Sequence, residues 1–148
     1  MAIVAAAAVV AGCGDDPKTT GPGSPAAAVD AFRADYAAHR DRRACAYVSS
    51  HAGLLIGTNT RGPHGRQPLL TALLRAQRRG CTAQLAVFRS HAAAGVPRRL
   101  AQGRTTHVVI DRQRASAQSG GERWYLRRED GRWKIAELSP LLGQPATP

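Results

Sequence analysis

"VVIDRQRASAQSGGERWYLRREDGRWKIAEL", Val108 to Leu138, decides the fold. From Thr105 onward the apolar period is 2. Strand-like runs at Thr105–Ile110, Arg114–Gln118, Arg123–Arg128 and Arg132–Leu138 are separated by Asp111–Gln113, Ser119-Gly120-Gly121 and Glu129-Asp130-Gly131. Asp-Gly between two alternating runs signals a tight hairpin. A two-residue Asp130-Gly131 turn pairs Leu126 with Ile135 and gathers Trp124, Leu126, Trp133 and Ile135 on one face. A three-residue loop would set Leu126 against Lys134 and scatter that cluster. Because a slip of one residue turns every side chain over, the tight register is expected. Its apolar face is the core, and Tyr125, Arg127 and Lys134 lie on a wetter outer face.

Upstream the period is 3.6. Ser24-Pro25 reads as an N-cap followed by proline at the first helical position. Val29, Phe32 and Tyr36 then form one stripe on a helix reaching about His39. A short helix is expected over Arg43–Val48, with Leu54-Leu55-Ile56 packing after it and a loop over Gly57–Gln67. Pro68 opens a third helix with a broad apolar face of Leu69, Leu70, Leu73 and Leu74, ended by Gly80. A fourth helical segment runs from Cys81 through Leu85, Phe88 and Ala92 to about Gly95-Val96-Pro97. Helices first and a meander last give an α+β class, with the N-terminal helices on one face of a curved antiparallel sheet formed by the C-terminal strands.

The first 24 residues carry an address. Ala2 to Ala11 are all Ala, Ile or Val, too few to span a bilayer but suited to the apolar region of a secretory signal. Val10-Ala11-Gly12-Cys13 resembles a bacterial lipobox, although Met1-Ala2-Ile3 lacks the basic opening of such signals. That resemblance implies cleavage before Cys13 and a diacylglyceryl group on its thiol. Gly14 to Ser24, "GDDPKTTGPGS", reads as a flexible tether. The expected organisation is a signal peptide over 1–12, a lipidated Cys and tether over 13–24, one domain over 25–139 and a tail over 140–148. The chain has three cysteines. With Cys13 assigned to lipid, Cys45 and Cys81 remain as a disulfide pair for an oxidising compartment.

The tail with Trp124, Leu126, Asp130, Gly131, Trp133, Lys134 and Ile135 resembles the closing hairpins of nuclear transport factor 2-like (cystatin-like superfamily) domains, as in small lipoproteins of high-GC Gram-positive bacteria. The resemblance implies a cone: a bent sheet wrapped on helices, with an apolar pocket at its mouth. Relatives include isomerases, dehydratases and non-catalytic binding modules, so the fold does not select an activity.

Residue chemistry narrows the choice. An enzyme of this kind places an acid or base inside the pocket. His107 falls mid-strand, on the face opposite Val108 and Ile110, and has no evident partner. Asp35 points away from the apolar stripe, and Asp41, Asp111 and Asp130 sit where caps and turns want an aspartate. The five histidines never share ligand spacing on one helix, so no metal is expected, and no cofactor either. No Gly-x-Ser-x-Gly elbow or Gly-rich phosphate loop occurs. His107, Tyr36 and Tyr125 are the pocket or surface candidates.

Twenty-one basic side chains face ten acidic ones, for a net charge of +11. The basic pairs are scattered and lack interleaved aromatics, which argues against nucleic acid. The expectation is therefore a lipid-anchored, extracytoplasmic membrane protein with a non-catalytic domain that binds a small apolar ligand or an envelope protein. A homodimer through its strand edges is also allowed. The alternatives are an isomerase- or dehydratase-like enzyme in the cone and a binder of anionic envelope polymers.

Overall fold

A computed structural model describes residues 23–53 and 66–143. Cys13, the signal-like run, nearly all of the tether and Leu54-Leu55-Ile56 therefore lie outside the described residues. Helix α1 (Pro25–Ala37) is capped by Ser24, whose hydroxyl accepts from the Ala27 amide at 3.2 Å. Its expected stripe is in place: Val29, Phe32 and Tyr36 are all buried. Phe32 stacks on Tyr36 at 5.8 Å and meets Trp124 edge-on at 5.6 Å.

The expected second helix is shorter than Arg43–Val48. Helix α2 covers only Asp41–Ala44, a 3-10 turn follows over Cys45–Tyr47, and Val48 opens strand β1 (Val48–Gly53). Helix α3 (Arg66–Arg79) begins two residues before Pro68, which a first helical turn tolerates. Its apolar face is narrower than four leucines. Leu69, Leu73 and Ala76 are buried, whereas Leu70 and Leu74 are 44% and 51% exposed. After α4 (Cys81–His91), the chain forms a further helix, α5 (Val96–Ala101), where the sequence suggested an end. Gly95 in a left-handed conformation starts it, and Val96 and Leu100 bury its single apolar edge.

Strands β2 (Thr106–Asp111), β3 (Arg114–Ser119), β4 (Glu122–Glu129) and β5 (Arg132–Glu137) form the antiparallel meander. The sheet order is β1-β5-β4-β3-β2, and β1 joins β5 in parallel, so the five-stranded sheet is mixed. Leu126 faces Ile135 and Glu129 faces Arg132, as the tight-turn register requires. Asp130 and Gly131 both take positive φ, 48° and 75°. One face of the sheet lies under the helices, where Trp124, Leu126, Trp133 and Ile135 join the helix stripe in a single core. The segment 140–148 begins inside the domain rather than beyond it: Pro140, Leu141 and Leu142 are buried in a 3-10 turn over Ser139–Leu142.

Candidate functional site

Among the described residues, the helix-covered face of the sheet carries buried apolar side chains, and the exposed charged side chains lie on the other face. Strand alternation sends Ala115, Leu126 and Ile135 inward and their neighbours outward. The β3–β4 register sets Arg114 opposite Arg127, and the β4–β5 register sets Arg127 opposite Lys134. Three cations thus lie directly across three adjacent strands, an arrangement that weakens a sheet on its own. Relief is partial. Arg127 Nε lies 3.2 Å from Glu129 Oε1, and Lys134 Nζ donates to the Ala46 carbonyl. Among the described residues, Arg114 forms no ion pair.

Beside this ladder runs a second row, Val109–Ser116–Tyr125, with Val109 63% and Tyr125 44% exposed. A shallow hollow of about 700 Å³ is lined here by Arg114, Tyr125, Arg127, Arg128, Ala136 and Glu137. The β2–β3 and β4–β5 turns at the same end add exposed Arg112 and Arg132. Acidic groups are present as well. Asp111 faces Arg114 in register, Asp130 caps the hairpin, and Glu129 is engaged by Ser49. The Ser49 hydroxyl, first of all, holds the Glu129 carboxyl below its ordinary pKa, with help from the Ser50 amide, Arg127 and His51 and against partial burial.

A second groove, about 440 Å³, joins the start of α1 to the β4–β5 hairpin. Gly23, Ser24 and Ala27 line one side, and Tyr47, Arg132 and Lys134 line the other. Gly23, the first described residue, therefore lies at the basic end of the sheet.

The other candidates separate. His107 is exposed, with φ of 49°, where the β2–β3 register shifts between Thr106 and Val109. It faces away from the core. Tyr36 is buried under Arg89, whose guanidinium carbon lies 4.4 Å from the ring centroid. Burial pushes the Tyr36 phenol up to about 12, while Arg89 pulls it down and Asp41 pushes it further up. Arg89 in turn grips Asp41 with two bonds of 2.7 and 2.9 Å and the Tyr36 carbonyl at 2.9 Å. Cys45 and Cys81 form a disulfide, with Cα atoms 5.9 Å apart.

Sequence reasoning passed over Arg33. It is 3% exposed, and its guanidinium donates to Ser119 Oγ (2.5 Å), Asp30 Oδ1 (3.3 Å) and the carbonyls of Arg99, Gln102 and Gly103. Burial lowers its pKa and Asp30 opposes that shift. The fork ties down the end of α5, bonding the Arg99 carbonyl, which also accepts from the Gln102 amide, and the two carbonyls that follow the helix. Within α1 only Asp30 pairs with it; the other acceptors lie far along the chain, so the local pattern does not announce the site.

Among the described residues, no group of three His, Cys, Asp or Glu side chains is placed to hold a metal, and no helix is long and apolar enough to cross a membrane. Compared with known protein families, curated proteins and solved structures, the chain matches none of them.

Proposed function

We propose that this chain is a membrane-anchored envelope lipoprotein of the nuclear transport factor 2-like type, held by lipid on Cys13, whose domain binds a partner without catalysing a reaction. One observation carries the reading. Of three cysteines, Cys45 and Cys81 are bonded to each other, which leaves Cys13, the residue that ends the lipobox-like Val10-Ala11-Gly12-Cys13, for modification. The helices-first, meander-last order supports the family assignment. The placement of the candidate groups supports binding over catalysis. His107 looks outward, and the Tyr36 phenol, with a pKa of about 12, is poorly matched to proton transfer near neutral pH. The outer sheet face, with its aligned cations beside Tyr125, is the surface that offers recognition chemistry.

Expression of the full chain in an actinobacterial host fed an alkyne-bearing fatty acid tests the anchor. The wild type is expected to be labelled, cut before Cys13 and retained with membranes. Cys13→Ser is expected to lose the label and the cut. Wild-type protein recovered unlabelled and uncut would overturn the proposal.

A further inference from the structure

We infer that the outer sheet face around Arg114, Tyr125 and Arg127 docks on the anionic phospholipid surface of the membrane to which the chain is tethered. This deepens the proposed function by naming the partner, and it rests on that reading for which surface lies within reach. The physical case begins with the register. Arg114, Arg127 and Lys134 stand opposite one another across β3, β4 and β5. Like charges in directly paired positions repel, and an anionic surface laid across the row removes that repulsion. Charges held within a Debye length of acidic headgroups are attracted strongly enough for several together to retain a domain.

The neighbouring row supplies the complementary chemistry. Tyr125 and Val109 expose an amphipathic ring and an apolar side chain beside the cations. An aromatic with a polar tip sits well at the headgroup boundary. At this end, exposed Arg112 in the β2–β3 turn and Arg132 at the start of β5 extend the positive surface toward the strand ends.

Topology places this end next to the membrane. Gly23 and Ser24 share a groove with Arg132 and Lys134, so the point where the tether joins the domain lies at the basic end. By composition, an eleven-residue run such as Gly14 to Ser24 has a coil span of roughly 18 Å. The domain is therefore held within a few tens of ångströms of the headgroups, with its cationic end as the part closest to the anchor. A soluble polyanion has no such geometric reason to meet this end first.

The test uses the full chain carrying Cys13→Ser, so that binding is measured without the lipid anchor. Co-sedimentation with vesicles of phosphatidylglycerol and phosphatidylcholine is compared with phosphatidylcholine alone, between 50 and 300 mM salt. Binding to the anionic vesicles only, falling steeply with salt, is expected. R114E/R127E is expected to lower the partition coefficient at least about tenfold, in line with two lost surface charges and two repulsive ones. R114Q/R127Q falls between it and the parent. R78E/R79E makes the same charge change on α3 and is expected to stay within about twofold, since it changes net charge and leaves the face intact. Thermal unfolding of each variant confirms that it is folded.

Equal binding to neutral vesicles would assign the effect to the apolar residues 2–11 and overturn the inference. Equal loss in both glutamate pairs would reduce it to net charge, with the same result. Capture of soluble polyphosphate by the Arg114/Arg127 face without vesicle binding would overturn the lipid assignment. Docking of the unacylated chain and acylation of Cys13 are separate outcomes, so either reading can fail while the other stands.

Discussion

Two buried or half-buried carboxylates show how position sets the sign of a titration. Glu122 opens β4 and is 7% exposed, with Arg99 at 3.9 Å as its partner. Burial raises its pKa and Arg99 only partly opposes this. A carboxyl that titrates higher folded than unfolded destabilises the fold at neutral pH, and that effect fades as pH falls through the folded pKa toward the unfolded value. Glu122→Gln is therefore expected to be more stable than the parent at pH 7.5, with the gap closing by about pH 4, near the unfolded carboxylate range. Glu129 works in the opposite sense. Its depressed pKa contributes stability above the unfolded value, and that contribution is lost as pH falls through the folded pKa. Glu129→Gln is accordingly expected to be less stable at pH 7.5 and to converge with the parent in acid. Urea unfolding from pH 7.5 down to below the ordinary carboxylate range measures the two gaps, and a Glu122→Gln gap independent of pH would refute the burial account.

At the scale of elements, the short segment after β5 behaves as part of the fold. Gly143 ends it with φ of 70°, and a Cβ there would stand 2.1 Å from Val96 Cγ2. Gly131 shares the left-handed conformation, at 75°, but a Cβ would meet nothing within 4 Å. Gly131→Ala thus carries backbone strain alone, about 1–2 kcal/mol. Gly143→Ala adds overpacking against α5, for a total of about 2–4 kcal/mol. Chemical denaturation separates the two, and equal losses would mean that Val96 moves aside freely.

The same elements show what the sequence could reveal. The meander was legible because Asp130-Gly131 pins one register and the alternation on both sides agrees with it. The α1 stripe was legible for the same reason, local pattern matching local structure. Strand β1 was not. Val48-Ser49-Ser50-His51-Ala52-Gly53 has no alternation, and its place is fixed by parallel pairing with β5 and by Glu129, which accepts from the Ser49 hydroxyl and the Ser50 amide. Helix α5 was hidden by its brevity, and Arg33 from α1 holds its Arg99 carbonyl and the Gln102 and Gly103 carbonyls just after it. Of the candidate site, Tyr125, Arg127 and Lys134 followed from the hairpin alone. Arg114 joined them only once Ser119 paired with Glu122 and set the β3–β4 register.

On the scale of the whole molecule, α1, the sheet and the α3–α4 hairpin share one core, which the hairpin enters through Leu69, Leu73, Leu85 and Phe88, and two further links pin α4. The disulfide holds the N-terminal end of α4 to the 3-10 turn before β1, and Arg89 holds its last turn to Asp41 and Tyr36. The crosslink closes a loop of 35 residues that includes β1 and α3. On the chain-entropy model its loss costs about 3.5–4 kcal/mol, a large fraction of the roughly 5–15 kcal/mol that holds a domain of this kind. C45A/C81A should therefore unfold at markedly lower urea. The loss need not spread evenly. Amides of α3 and α4 are expected to exchange faster in the variant than those of β4 and β5, because the hairpin loses its covalent link and keeps the Arg89 contacts and the core packing of Leu69, Leu73, Leu85 and Phe88. The outer sheet face lies on the other side of the core, so a folded C45A/C81A chain should bind anionic vesicles as the parent does. Exchange that accelerates equally in α3 and β4, or vesicle binding that falls with the disulfide, would show that the hairpin and the basic face form one cooperative unit, and the division drawn here would be wrong.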